Sequence, residues 1–472
     1  MMVNNDNERH YCLLRQIGEI QPELTLEMND IGMCQTFINL YSARLKYNDT
    51  RKSWMVYNGI RWVLDPGAKK VNEFIIELYT LLKIYAARIE NKYSDTYMKF
   101  ILTYSNRHKR EILMRDIQAA LTVQQDDFDK HDNLFNCQNG TLNLDTFEFY
   151  NHNSEDMLTQ VSNCDYNPDA NNTMFMNFLD EVMVGDKELV KYLLRIFGYW
   201  ITSDTSLETA FFNIGKTTRN GKTTCTETFG AMMGSYAKVI PPSALAMTKY
   251  DNGSSPNPFL ADLQGVRLLL TSEPPKGMRL NEALFKRLTG GDLLTVRGLY
   301  EKPYSFLPQF KICMNCNSTP VVADDSVFVS DRIRAIPFDR HFEPDEQDRS
   351  LKKRLKEPEI LSSVLNCALI GLKDLRENGE QIPDRVIETI DNYRFMSDKI
   401  QRFFDNCMVD DGGISLGADV FKAYCNWCTA NAYPLEGKQE FFSTLRERGL
   451  LQSSTIKSKT IRNTVRYSIL QQ

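Results

Sequence analysis

Short apolar runs that end in polar residues recur in the middle of the chain, a pattern that is typical of buried strands. It predicts strands within 208–214, 264–274 and 310–320, and a helix-compatible segment follows the first of them. Strands and helices continue to alternate to about Phe338. This rhythm predicts an α/β fold, with a parallel sheet that is covered on both faces.

The region before these strands has a different pattern. Residues from about 28 to 165 mix helical periodicity with short, aromatic-rich strands, and turn signals fall at 58–59 and 139–140. The first turn, an Asn-Gly pair, predicts a hairpin over 53–63. An amphipathic helix is predicted over 72–90, with an apolar face formed by Ile75, Leu78, Leu81 and Leu82. The region is therefore predicted to be α+β.

A polar stretch at 167–172 marks a predicted boundary between this region and the helices that lead into the first core strand. The predicted units are an α+β N-terminal domain (1–165), a helical linker (166–205), an α/β core (206–345), a helical segment (346–405) and a small C-terminal unit (406–472).

Composition places the chain among ordinary soluble proteins. It has 472 residues, 42% hydrophobic and 25% charged, which is enough for two to four domains. No apolar run is long enough to cross a bilayer, and the N-terminus lacks a signal-peptide core. We therefore expect a cytoplasmic protein, in the host cytoplasm if it is encoded by a virus or phage, without a membrane partner.

The eleven cysteines are odd in number and scattered, which favours reduced thiols over a disulfide framework. Two Cys-x-x-Cys pairs, at 313–316 and 425–428, leave a zinc site open as an alternative. More than a hundred residues separate the pairs, unlike known short zinc modules, so this alternative is disfavoured.

Net charge is −5, so no overall basic field indicates nucleic acid. The stretch from Arg446 onward is nevertheless basic, and it contains Lys457, Lys459 and Arg462. A nucleic-acid contact and a solvated surface are equally good explanations of this stretch.

A Gly-Lys-Thr-Thr sequence at 221–224 lies between the first core strand and the helix that follows it. Glycine lets backbone N–H groups close around an anion, and a helix N-terminus presents its positive dipole to the same charge. This context predicts a phosphate-binding loop for ATP, formed by Asn220, Gly221, Lys222, Thr223 and Thr224. Lys222 would reach the terminal phosphates, and the Thr223 hydroxyl would bind Mg²⁺.

The spacing of this loop is unusual. Five residues, instead of the usual four, separate Gly215 from the Gly-Lys pair, so the loop is predicted to be one residue longer and the role of Gly215 stays open. A chance occurrence of Gly-Lys-Thr at a helix start is the alternative.

Two other predicted strands end in polar residues that suit the same site. Glu273 follows the second strand and would order Mg²⁺ or activate water, and Asn317 ends the third and would bind a γ-phosphate or the attacking water. Further on, Arg332 is a candidate arginine finger, a residue that stabilises charge on a transferring phosphoryl group. A surface position is the alternative for Glu273 and for Arg332 considered singly.

Several segments, in order and spacing, closely resemble the poxvirus-type and phage or plasmid primase-helicases, which are superfamily 3 helicases. The core segments are 257–267, 272–273, 280–282, 286–292, 310–312, 317–320 and 332–338. Residues 29–65, 139–145 and 165–170 resemble the N-terminal domain that precedes this core, and 420–428 and 440–445 resemble its C-terminal winged-helix module.

The resemblance implies a fold and a set of roles. The fold would be an AAA+-type P-loop core with an α+β N-terminal domain and a C-terminal winged-helix-like domain. Glu273 would take the Walker B position and bind Mg²⁺ together with Thr223, Asn317 would be sensor 1, and Arg332 would act in trans. Ser272 stands where many relatives have a second acid. The resemblance therefore assigns phosphate binding to Lys222 but leaves open which group activates water.

The family pattern also implies a homo-hexamer whose β-hairpins, at 293–307, project into a central channel and hold single-stranded DNA. Arg297, Tyr300 and Lys302 are the predicted contacts at the hairpin, because a cation and an aromatic ring bind a strand without reading its sequence. A structural hairpin is the alternative.

The expected function is ATP-dependent unwinding of forked DNA. An upstream primase domain is not expected, so priming would need a separate protein. A replication initiator that binds an origin and uses ATP for assembly is the alternative function.

Overall fold

The computed structural model describes residues 3–20, 27–88, 92–215, 217–247, 259–260, 263–296, 304–322, 325–431, 435, 437–456 and 459–470. At 3–8, 453–456 and 459–463 only the backbone is described.

The N-terminal region is α+β, as predicted. Its elements are α1 (Val3–Ile20), α2 (Asp30–Tyr41), β1 (Leu45–Asn48), β2 (Ser53–Tyr57), β3 (Trp62–Asp65), α3 (Lys69–Arg88), α4 (Ser94–Leu102), α5 (Arg107–Ala120) and β4 (Thr122–Val123). The strands form a sheet in the order β3-β2-β1-β4. The predicted hairpin is confirmed, because β2 and β3 pair antiparallel around Gly59, whose φ is 99°. All four predicted core positions of α3 are buried.

A second, smaller sheet follows the first. It consists of β5 (Leu134–Asn136), β6 (Thr141–Asn143) and β7 (Phe149–Tyr150), in the order β5-β6-β7. The turn predicted at 139–140 joins β5 to β6, which pair antiparallel.

Two helices, α6 (Thr173–Val182) and α7 (Lys187–Ile201), occupy the predicted linker. They share one hydrophobic core with the central sheet and with the later helix α12 (Pro358–Asn378), and Phe178, Trp200 and Leu365 all contribute to this core. The backbones of α7 and α12 touch: a Cβ added to Gly371 would lie 1.7 Å from the carbonyl oxygen of Leu194. These helices are therefore packed parts of the core. The predicted domain limits themselves stay a prediction.

The central sheet is parallel throughout, which confirms the predicted α/β class. Its strands run in the order β14-β8-β13-β10-β9. The elements of this region are β8 (Ala210–Ile214), α8 (Lys222–Met233), β9 (Ala237–Ile240), β10 (Leu268–Thr271), α9 (Glu282–Thr289), β11 (Leu294–Val296), β12 (Tyr304–Phe306), β13 (Lys311–Cys316), α10 (Ser326–Val329) and β14 (Ile333–Pro337). Each of the three strands predicted from apolar runs is present within its predicted range.

Two buried cations join the sheet to α7. Arg267 donates to the carbonyl of Ile201 at 2.6 Å, and Lys311 donates to the carbonyl of Thr202. Both carbonyls belong to the C-terminal end of α7, where the helix dipole favours positive charge. Burial nevertheless lowers the pKa of Lys311 well below its ordinary value, and the nearby Arg267 adds to this effect.

The last part of the chain is helical and then mixed. Its elements are α11 (Leu351–Arg354), α12 (Pro358–Asn378), α13 (Asp384–Ser397), α14 (Lys399–Cys407), β15 (Met408–Val409), β16 (Ser415–Leu416), α15 (Gly417–Ala430), α16 (Lys438–Glu447), β17 (Leu451–Ile456), β18 (Lys459–Val465) and β19 (Ser468–Ile469). The C-terminal unit has a hydrophobic core of its own, which includes Phe403, Trp427 and Phe441. Strands β16, β18 and β17 form its three-stranded antiparallel sheet.

Cys313 and Cys316 face the two opposite cores of the central sheet, because residues three apart on a strand point to opposite faces. Among the described residues, no three His, Cys, Asp or Glu side chains are grouped so that they could hold a metal ion. The same part of the chain contains no helix that is long and apolar enough to cross a membrane.

Candidate nucleotide-binding site

The predicted phosphate loop leaves the carboxyl end of β8 and leads directly into α8. Gly215 begins the loop, where its N–H donates to the carbonyl of Cys316 at 3.1 Å. Gly221 ends it as the N-cap of α8, and its carbonyl accepts from the N–H of Cys225 at 2.9 Å. The amino end of α8 therefore faces the loop, which is the arrangement that attracts phosphate.

Both glycines of the loop are required by geometry. Gly221 has a φ of +84°, and a Cβ there would lie 2.3 Å from Cγ1 of Val182 on α6. A Cβ on Gly215 would lie 2.2 Å from the side-chain nitrogen of Asn220 and 2.8 Å from Nζ of Lys222. The same Cβ would lie 2.7 Å from the backbone carbonyl oxygen of Phe338, so the space at Gly215 does not admit a side chain.

Residues 218–219 of the longer loop are in hydrogen-bond contact with residues 341–342, in the segment that follows β14. Nδ1 of His341 lies 2.9 Å from the carbonyl oxygen of Thr218, and the N–H of Phe342 donates to the carbonyl of Arg219 at 3.0 Å. Asn220 closes the loop internally by donating to the carbonyl of Thr217 at 2.7 Å. Nothing in the local sequence pairs residues 217–219 with 341–342, so sequence reasoning missed this contact.

Three of the predicted catalytic residues form one hydrogen-bonded chain. Nζ of Lys222 donates to Oδ1 of Asn317 at 2.7 Å, and Nδ2 of Asn317 donates to Oε2 of Glu273 at 2.7 Å. Lys222 also donates to the carbonyl of Gly215 at 3.1 Å. The chain crosses the carboxyl ends of neighbouring strands β13 and β10, where a parallel sheet offers a ligand site.

The lysine is buried and the acid is exposed. Burial lowers the pKa of Lys222, while Cys316 and Glu273 oppose that shift. Its two acceptors are neutral, so a phosphate would compete well for the ammonium group. Thr223 and Thr224 lie in the first turn of α8, exposed and half-buried respectively, where a hydroxyl can bind Mg²⁺ beside a phosphate.

A polar network behind the loop fixes α8 to the sheet. Nδ2 of Asn315 donates to Oγ1 of Thr226 at 2.9 Å, and Nδ2 of Asn213 donates to Oδ1 of Asn315 at 3.0 Å. These side chains come from β13, α8 and β8. The sequence signal that could have revealed the network is one asparagine within each of two apolar strands, Asn213 in β8 and Asn315 in β13.

Arg332 is not part of this cluster within one chain. It immediately precedes β14, whereas the phosphate loop lies beyond the carboxyl ends of the parallel strands. Five residues of strand put about 17 Å between these two edges. The Arg332 guanidinium instead pairs with Glu208 at 2.8 Å. The predicted role of Arg332 in a neighbouring subunit stays a prediction.

The predicted nucleic-acid contacts are only partly described. The two strands of the predicted hairpin are confirmed, since β11 and β12 pair antiparallel from Leu294↔Phe306 to Val296↔Tyr304. Lys459 and Arg462 lie on β18. The remaining predicted contacts, which are Arg297, Tyr300, Lys302 and Lys457, lie outside the described residues.

Comparison with known proteins gives one family match. Residues 34–184 match the family described as D5 N terminal like. Over 327 residues the chain is 27% identical to an Acanthamoeba polyphaga mimivirus protein provisionally named a helicase, covering 64% of this chain and 34% of the relative. It is 26% identical over 488 aligned positions to the provisionally named helicase 121R of Invertebrate iridescent virus 3, and this match covers 88% of this chain and 51% of the relative. The chain thus spans about a third to a half of these relatives.

A solved structure shares the fold. The apo structure of the NrS-1 C-terminal region superposes with a TM-score of 0.51 at 10% identity, covering 89% of this chain and 95% of that one. The matched domain and the viral relatives confirm the resemblance to the D5-type primase-helicases, and the solved structure shows a shared fold.

Proposed function

We propose that this chain is an ATP-dependent DNA helicase. It matches the D5 N terminal like family over residues 34–184, and it resembles viral proteins provisionally named helicases. The observation that carries the proposal is a pair of hydrogen bonds, from Lys222 to Asn317 and from Asn317 to Glu273, beside the loop that begins and ends with glycine. A basic group, an amide and a carboxylate at the sheet edge are the parts that phosphoryl transfer from ATP requires.

Each residue has a task in this proposal. Lys222 would bind the terminal phosphates of ATP, and the Thr223 hydroxyl and Glu273 would hold Mg²⁺, which would supply positive charge beside the phosphates. Asn317 touches both Lys222 and Glu273, so it can orient a water against the γ-phosphate. Glycine at position 215 supports this arrangement, because a Cβ there would lie 2.8 Å from Nζ of Lys222.

The position of Arg332 supports an oligomer. It lies at the sheet edge opposite the loop, so it can complete the site only in a neighbouring subunit, as in a homo-hexameric ring. In such a ring the β11–β12 hairpins would line the channel and contact single-stranded DNA, and the C-terminal unit, with two helices before a β-ribbon, would serve as a winged-helix-like module.

The experiment is a DNA-stimulated ATPase assay on Lys222→Ala, with Lys353→Ala as the matched control, since Lys353 is an exposed lysine on α11. We expect Lys222→Ala to lose at least about 10²-fold in turnover and the control to keep full activity. Equal activity of the two variants would refute the proposed site.

A replication initiator that uses ATP to assemble on an origin is the second candidate. The observation that favours it is the separate core of the C-terminal unit, whose helix α16 is positioned before the ribbon of β17 and β18. Binding of the intact protein to origin and to random duplexes decides between the two. Equal affinity excludes the initiator, whereas specific binding without unwinding of a fork excludes the helicase.

A further inference from the structure

The guanidinium group of Arg332 is bound by three acceptors of its own chain. Nη2 donates to Oε2 of Glu208 at 2.8 Å, and Nη1 donates to Oγ1 of Thr289 at 3.0 Å and to the carbonyl oxygen of Lys286 at 3.3 Å. Its side chain is only 17% exposed. These contacts must be exchanged before the group can meet a phosphate on another subunit.

Two of the acceptors belong to the C-terminal end of α9. Thr289 is the last residue of that helix, and its hydroxyl also donates to the carbonyl of Phe285 at 3.0 Å. Only residues 290–293 separate the helix from β11, the first strand of the hairpin. Arg332 therefore caps α9 directly before the predicted DNA-binding element, at the pole of the helix dipole that favours a cation.

The third acceptor, Glu208, lies two residues before β8, whose far end carries the phosphate loop. Glu208 and Asp331 both adopt positive φ, 48° and 55°, which is uncommon for residues other than glycine. The backbone between them is fixed, because the Thr209 hydroxyl donates to the carbonyl of Asp331 at 2.9 Å and the N–H of Ala210 to that of Arg332 at 2.9 Å. With the backbone fixed, the Arg332 side chain is the part that can change partners.

We propose that Glu208 and Thr289 are positioning residues that hold Arg332 in a resting state on its own subunit. When ATP on the neighbouring subunit draws the guanidinium away, the end of α9 loses its cap and the hairpin is released to move along DNA. This couples the nucleotide of one subunit to the DNA contact of the next. The inference rests on the proposed function, and in particular on the action of Arg332 in trans.

The test uses the full-length variants Glu208→Gln and Thr289→Val, which keep side-chain size but weaken one contact each. Exposed Glu359, in the first turn of α12, gives the matched control Glu359→Gln. We expect both test variants to raise ATPase without DNA about two- to fivefold, as the loss of a weak ion pair or hydrogen bond allows. ATP consumed per base pair unwound rises as well, and the control changes neither quantity.

Hydrogen exchange gives a readout that does not depend on catalysis. Peptides that contain residues 290–293 should exchange faster in nucleotide-free Glu208→Gln than in the wild type. If ATPase in Glu208→Gln falls to the level of Arg332→Ala, Glu208 aims the finger for hydrolysis and the resting-state proposal is wrong. Unchanged exchange and unchanged ATPase in both variants also overturn it. Failure of the proposed function is seen separately, as full ATPase in Lys222→Ala.

Discussion

The contact between Gly221 and Val182 allows a quantitative prediction about the phosphate loop. In Gly221→Ala, a left-handed φ of +84° costs a residue with a Cβ about 1–2 kcal/mol. The new Cβ also lies 2.3 Å from Cγ1 of fully buried Val182, and relief of such overpacking costs about 1–3 kcal/mol. Together the two effects destabilise the start of α8 by about 2–5 kcal/mol.

The steric part has a built-in control. Val182→Ala removes Cγ1 and loses about 1.6 kcal/mol of burial on its own, since two methyl groups leave the core. In the double variant the 2.3 Å contact is gone, the nearest atom becomes Cβ of residue 182 at 3.2 Å, and the backbone strain remains. We therefore expect the double variant to be less destabilised than the sum of the two single variants, by about 1–3 kcal/mol.

Hydrogen exchange of the α8 amides is the appropriate assay, because a chain with several hydrophobic cores has no single unfolding free energy. Protection should fall by about 30-fold to several thousand-fold in Gly221→Ala. Binding of a fluorescent ATP analogue should be lost in Gly221→Ala and retained in Val182→Ala. Strictly additive effects, within about 0.5 kcal/mol, would show that the loop is not packed against α6 as described.

Three further outcomes are expected. Asn317→Ala should lower the turnover number about 10²-fold with little change in the KM for ATP, because it removes the group that joins Lys222 to Glu273; a change in KM alone would contradict this role. Since burial lowers the pKa of Lys222, ATP affinity should fall as pH rises toward 10.5, and in Lys222→Arg this fall should be absent. Lys311 has a lowered folded pKa, so the unfolded chain binds more protons below pH 10.5 and stability should rise with pH in that window. Lys311→Met should abolish this rise of the thermal unfolding midpoint with pH, and an unchanged slope would exclude Lys311 as its cause.

Much of the site follows from the sequence, because parallel strands bring their carboxyl ends to one edge. A glycine loop after one apolar strand and polar residues after two others are enough to predict that Lys222, Glu273 and Asn317 meet. The hairpin at 53–63 and the buried face of α3 follow in the same way from short-range patterns.

Contacts between distant segments did not follow from the sequence. The packing of Val182 against Gly221 and the attachment of Thr218 to His341 depend on how helices and loops are stacked, which no local periodicity encodes. The partners of Arg332 were missed for the same reason. The sequence shows a charged residue before a strand, but the acceptor that it meets, here Glu208, is set by tertiary structure.

The most direct test of the central claim is strand separation on a forked DNA duplex with ATP and Mg²⁺. We expect the wild-type protein to separate the strands and Lys222→Ala to fail. Mixtures of Lys222→Ala and Arg332→Ala should recover activity, because one subunit supplies the finger that another lacks. Strand separation by Lys222→Ala, or none by a wild-type protein that binds both ATP and the fork, would contradict it.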